Sequence, residues 1–169
     1  MRRINWFLLL FAAALLTWTA LPRYLPEGLR PDLILIVVLF TALSAPPEDA
    51  LPLSWVAGLV KDVLTTGPLG QYALLYLLLA ALLLRLKPLF DTRAALARVL
   101  IGAAAHLACE GAGLLIEGMR AGVWPDAAAR NLLLLSALVT GILTPLLSRP
   151  LDRIAGRLGL ERRRLGWVR

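Results

Sequence analysis

The chain has 169 residues, 59% hydrophobic and 17% charged, and its Leu, Ala and Val runs leave no polar stretch long enough for a soluble domain. Its formal net charge of +7 does not indicate nucleic-acid binding, because the basic residues stand at the ends of apolar segments, where the positive-inside rule and anionic lipid place them. A single cysteine, Cys109, excludes an intrachain disulfide and a Cys-based metal cluster.

Apolar segments fall at 5–21, 32–45, 51–65, 69–86, 96–116 and 131–147. They predict an all-α integral membrane protein, a six-helix transmembrane bundle over 1–147 with a basic amphipathic juxtamembrane tail at 148–169. The first segment reads as a retained span, since Trp18, Pro22 and Pro26 follow the apolar run in place of a small-residue cleavage site. Pro31 and Asp32 suit the start of the second helix, with proline preset for the first turn and the carboxylate facing the positive end of the dipole. About 20 residues cross a 30 Å core, so the fourth to sixth segments are long enough to span. The second and third are short and require thinning, tilt or a re-entrant hairpin with 46–49 at membrane depth.

The Lys/Arg distribution sets the orientation. Arg2 and Arg3, then Arg85, Lys87, Arg93 and Arg98, and finally Arg149, Arg153, Arg157, Arg162, Arg163, Arg164 and Arg169 share one side; Arg23, Arg30, Arg120 and Arg130 share the other. Both termini are therefore expected in the cytoplasm. Trp6, Trp18, Trp55 and Trp124 lie near expected helix ends, as an aromatic belt requires. In the tail, Leu151, Ile154, Ala155 and Leu158 share one helical face and Arg149, Arg153 and Arg157 another, a pattern that holds a helix on anionic lipid.

Residues 58–70 interrupt this apolar background. Charges within a span are costly and mark a protein interior or a working site, so Lys61 and Asp62 are candidates. Lys61 lies ten residues beyond Leu51 and His106 ten beyond Leu96, each roughly 15 Å into the membrane at 1.5 Å per residue. With Asp32 and Glu110 they form a polar cluster in the outer half of the bundle. Asp32, Asp62 and Glu110 against Lys61 leave two surplus negative charges, to be met by protonation or by a cation from Arg30, Arg120 or another protein. Replacing Asp62 by Asn is then expected to weaken assembly. His106 and Glu110, four apart, read as a hydrogen-bonded packing pair. One histidine and one cysteine are too few for a zinc site.

No phosphate loop, HExxH helix, G-x-S-x-G or second histidine is present, so no catalytic, cofactor-binding or metal residues are assigned. An intramembrane aspartyl pair of Asp32 and Asp62 requires a shared-proton geometry that sequence does not supply. Ala104, Ala108 and Ala112, and Ala105, Cys109 and Gly113, repeat every fourth position, a spacing that suits close helix approach or homodimerisation. Ser136, Thr140 and Thr144 line one face of the sixth helix before Pro145, available for bonds across helices or back to their own backbone.

Arg30, Pro31, Asp32 and Leu33, then Gly58, Leu59 and Asp62 followed by Pro68, Leu69 and Gly70, resemble the MreD family of rod shape-determining membrane proteins. Thr144 and Pro145 agree with the family's ending of the sixth helix. The family often has glycine four residues after the aspartate; here Thr66 stands there and glycine comes at Gly67. The resemblance implies a non-enzymatic scaffold of the bacterial inner membrane. Such a scaffold binds MreC and couples MreB filaments to peptidoglycan synthesis by RodA and a class B penicillin-binding protein. It also implies a fold similar to the S components of energy-coupling-factor transporters, whose alternative function is binding a vitamin or other small molecule. S components carry an Ala-x-x-x-Ala pair on helix one; here Leu16, Thr17 and Trp18 stand four after Ala12, Ala13 and Ala14, which favours the scaffold.

Overall fold

The computed structural model describes residues 2–65, 67–89 and 94–158. Among these, six principal helices follow the six apolar segments. Helix α1 runs Arg2–Leu15, widens into a π-helical turn at Leu16–Ala20 and closes as α-helix at Leu21–Tyr24. The wide turn has a local cause in Pro22, which has no N–H to donate and whose ring crowds the carbonyl four residues back. The N–H of Leu21 accordingly reaches back to the Leu16 carbonyl, the longer bond that defines a π turn.

Helix α2, Leu33–Ser44, is buried on every side from Ile34 to Ala42, the pattern of a central helix with no lipid or solvent face. Asp32 is its N-cap, accepting from Leu35 N at 2.9 Å. Pro31 lies one residue outside the helix, so it presets the entry and not the first turn. Trp6 on α1 is fully buried (0%) and donates to Thr41 Oγ1 of α2 at 2.9 Å. Its expected place in an aromatic belt is thereby corrected, because an indole N–H in the core needs an acceptor. Trp18, Trp55 and Trp124 are exposed.

Helix α3, Pro47–Leu64, opens with proline and with Glu48 and Asp49 in the first turn, where their charge opposes the helix dipole favourably. Its buried face is Ala50, Leu53, Ser54, Ala57, Gly58, Lys61 and Asp62, spaced three and four apart. Helix α4, Gln71–Leu86, crosses Gly58 so closely that a Cβ there would fall onto Ala73 Cα and the Tyr72 carbonyl, and 2.6 Å from Ala73 N. Helix α5, Ala95–Ala121, ends at Gly122 in the left-handed region (φ 68°), a common stop for a helix. Helix α6, Ala127–Leu158, begins where Asp126 accepts from Ala129 N at 2.7 Å. Gly102 of α5 lies against Thr144 and Gly141 of α6, where a Cβ would stand 2.9 Å from Thr144 Cβ.

Two expected lengths change. Helix α4 begins at Gln71 and has 16 residues, short of a full span. Helix α6 passes the expected end at Leu147 and continues through Pro145 and Pro150, as membrane helices tolerate when neighbouring groups satisfy the freed carbonyls. Among the described residues three helices are long and apolar enough to cross a membrane, Ile4–Tyr24, Ala95–Ala121 and Ala127–Leu151. Helices α2 and α4 are apolar but shorter, and α3 carries Glu48, Asp49, Lys61 and Asp62 within its 18 residues. Arg149 is exposed on α6 and the backbone at Arg153 and Arg157 is helical, while Arg162, Arg163 and Arg164 lie outside the described residues.

Candidate functional site

The site is assembled from the start of α2, the end of α3, the start of α4 and the middle of α5 and α6. It begins with a turn. Residues Gly67, Pro68, Leu69 and Gly70 join α3 to α4, and Gly70, at φ 95°, holds the left-handed conformation that glycine adopts without a Cβ clash. A glycine at the N-cap has no side chain to accept the first amides of α4, and Asp62 takes that part from the preceding helix. Its Oδ2 accepts from Gly70 N at 3.0 Å and Ala73 N at 3.1 Å, and its Oδ1 from Tyr72 N at 2.8 Å. The carboxylate thus faces the positive end of α4.

Lys61, next in sequence, points the other way. Its ammonium forms ion pairs with Asp32 Oδ2 and Glu110 Oε1. The side chains of Lys61 and Asp32 are 11% and 6% exposed and that of Glu110 23%. Two tyrosines of α4, one turn apart, complete the shell. Tyr76 donates to Asp32 Oδ2 at 2.8 Å and Tyr72 to Glu110 Oε2 at 3.0 Å. The ammonium also lies 4.4 Å from the Tyr72 ring centroid and 5.5 Å from that of Tyr76, within range of a cation–π attraction. Every charge in this shell has charged and neutral partners, as burial demands.

His106 of α5 is held separately, by hydroxyls of α6. Ser136 Oγ donates to the Leu133 carbonyl at 3.0 Å, so His106 Nε2, 2.9 Å from that oxygen, is the donor between them. Thr140 Oγ1 accepts from Asp32 N at 3.2 Å and lies 3.4 Å from His106 Nδ1. These partners assign the proton to Nε2. The expected His106–Glu110 pair is not made, since each residue is engaged by a different helix.

Of the five residues expected to cluster, Asp32, Lys61 and Glu110 meet directly, and His106 adjoins them through Thr140. Asp62 turns away. The local excess is therefore one carboxylate over one ammonium, not the two carboxylates inferred when Asp62 was counted with them. Tyr72 and Tyr76 were missed, though two tyrosines four apart in an apolar helix signal two hydroxyls in need of partners. Ser136, Thr140 and Thr144 use both of the bonding modes open to them; Thr144 returns its proton to the Thr140 carbonyl at 2.7 Å.

Above this layer lies a cavity of about 390 Å³, walled by Trp18, Leu64, Leu114 and Leu132 and floored by Lys61, His106, Glu110 and Ser136, with Arg30 also on its lining. It sits at the end of the bundle that carries the α3–α4 and α5–α6 turns. Among the described residues no group of three or more His, Cys, Asp and Glu side chains converges as metal ligands do.

These features define a polytopic helical membrane protein with a charged layer beneath an open cavity. The chain belongs to the family of the rod shape-determining protein MreD, whose family model matches residues 1–151. No curated protein and no solved structure matches it. Membership gives the chain a role in rod-shape determination, within a family of shape-determining structural membrane proteins.

Proposed function

We propose that this chain is a non-enzymatic scaffold of the elongation machinery in the bacterial inner membrane, with both termini cytoplasmic. Its outward cavity receives the membrane-proximal part of MreC. Through that contact it helps couple MreB filaments to RodA and a class B penicillin-binding protein. The observation that carries this reading is the sharing of one ammonium, Lys61, between two carboxylates at the floor of an open cavity. The carboxylate pair that shares Lys61 has one negative charge to spare beneath largely apolar walls, with Arg30 elsewhere on the lining, and complements a partner segment that brings an apolar helix end and a cation.

A cavity of about 390 Å³ also falls in the range of small-molecule sites, roughly 300–1,000 Å³, which supports the rival reading of a substrate-binding subunit with an S-component-like fold. Co-purification of the full chain with MreC separates the two. Glu110→Gln removes the surplus charge, and is expected to lower MreC retention severalfold while the variant melts close to the unaltered protein. Unchanged retention by a folded Glu110→Gln variant, or a small molecule retained in the cavity in place of MreC, overturns the scaffold reading.

A further inference from the structure

A trough runs between α1 and α3 and ends at the cavity above the charged layer. It consists of two adjoining hollows of about 460 and 380 Å³, which share Phe11, Ala14, Val56 and Val60. Ile4, Phe7 and Leu8 bound the first hollow, and Trp18, Val63 and Leu64 the second. Trp18 and Leu64 also wall the cavity, so trough and cavity have an edge in common. The inner face of α1 is committed elsewhere, since Trp6 bonds to Thr41 of α2 and Ala13 is buried. Phe7, Phe11 and Trp18 are left exposed along the trough.

Length and charge together select an occupant. On α1 the lining residues Ile4, Phe7, Phe11, Ala14 and Trp18 alternate steps of three and four, the seam along which two helices pack side by side. From Ile4 to Trp18 the trough follows α1 for about 21 Å at 1.5 Å per residue. One leaflet contributes about 15 Å of a hydrocarbon core of about 30 Å, so an acyl chain entering from either end leaves the far end bare, whereas a helix that crosses the core covers the whole. At the cavity end Asp32 and Glu110 share one ammonium, with Arg30 elsewhere on that lining. A lipid phosphate brought there adds negative charge beside a surplus carboxylate, and a lysine or arginine neutralises it.

We infer that this trough seats the partner's membrane segment, an apolar helix laid along α1 and α3 with a cationic residue at the end that enters the cavity. The inference rests on the scaffold reading above and gives the partner a path through the membrane.

The test places the photo-crosslinker benzoylphenylalanine at position 11 of the full-length chain, in membranes that also hold full-length MreC. A crosslink to the membrane segment of MreC is expected there. None is expected from the same probe at position 78, since Leu78 is exposed on α4 and lines neither trough nor cavity. Phe7→Ala and Phe11→Ala together, which strip two exposed aromatic side chains, are expected to lower MreC retention severalfold while the melting point stays close to that of the unaltered protein. Crosslinks from position 11 to lipid alone or to a second copy of the chain, equal crosslinking of MreC from both positions, or unchanged retention by the double variant overturns the inference. Where Glu110→Gln still lowers MreC retention, such a result removes the trough and leaves the scaffold reading standing. An unaltered chain that retains no MreC removes both.

Discussion

The hydroxyl of Tyr76 donates at 2.8 Å to the same Asp32 oxygen that pairs with Lys61. That oxygen therefore has a charged and a neutral donor, while the other Asp32 oxygen caps α2 through Leu35 N. One carboxylate thus joins α2, α3 and α4, and its surroundings divide stabilising interactions from functional ones.

Removing the ammonium leaves two carboxylates near each other with the tyrosine hydroxyls and the Leu35 amide as their remaining donors. Lys61→Met is expected to cost about 3–5 kcal/mol, the range for breaking a buried ion pair from one side. Adding Asp32→Asn and Glu110→Gln to Lys61→Met recovers most of that loss. Thermal unfolding in detergent measures both, and identical midpoints for the single and triple variants would refute the ion-paired arrangement.

Two glycines of one motif fail for different reasons. At Gly58 a Cβ meets the backbone of α4, so Gly58→Ala must separate two helices and is expected to cost about 1–3 kcal/mol or more, as overpacking does. At Gly70 nothing lies within 4 Å of an added Cβ, so Gly70→Ala bears only the left-handed backbone strain, roughly 1–2 kcal/mol. In unfolding measurements Gly58→Ala is therefore expected to lower the midpoint more than Gly70→Ala, and equal losses would refute the close approach of α4 to Gly58.

Asp62→Ala strips three amides of their acceptor. The loss is expected to reach about 2 kcal/mol, the upper end for a helix cap, with Asp62→Asn intermediate because it keeps one acceptor oxygen. Hydrogen exchange reads this directly, since the Tyr72 and Ala73 amides lose protection ahead of those deeper in α4. Protection that stays unchanged in a folded Asp62→Ala protein is incompatible with the cap.

At the α5–α6 crossing, Gly102→Ala places a methyl against Thr144 Oγ1 and Cβ. It is expected to destabilise by about 1–3 kcal/mol, and Thr144→Ala is expected to restore part of the loss by removing the hydroxyl while its Cβ remains. Additive effects in the double variant would show that the two positions do not touch.

Much of this arrangement is legible in the sequence because lipid exposes periodicity plainly. Six apolar segments became six helices, and the residues flagged for charge converge on one end of the bundle. The pairing within the cluster was not legible. Counting 1.5 Å per residue places Cα atoms, and it set Lys61 level with His106; the long lysine stem instead carries its ammonium outward to Glu110. Asp62 was counted with the acids because sequence gives depth but not direction, and adjacent helical residues point to different sides. The run of α6 through Pro145 was hidden by the usual effect of proline, whose ring here follows the carbonyl of Gly141 within a helix that continues. Trp6 lay at an expected helix end, and only the position of Thr41 on a neighbouring helix drew it inward.

The bonds of the charged layer also differ in when their partners exist. Asp62 finds its amides 8, 10 and 11 residues further on, so all of its partners lie within the α3–α4 hairpin. Lys61 reaches back 29 residues to Asp32 but forward 49 to Glu110. In order of synthesis Asp32 and Lys61, whose charges cancel, precede Glu110, and the second carboxylate of the layer comes only with α5. A chain that stops short of α5 therefore lacks the surplus carboxylate of the floor.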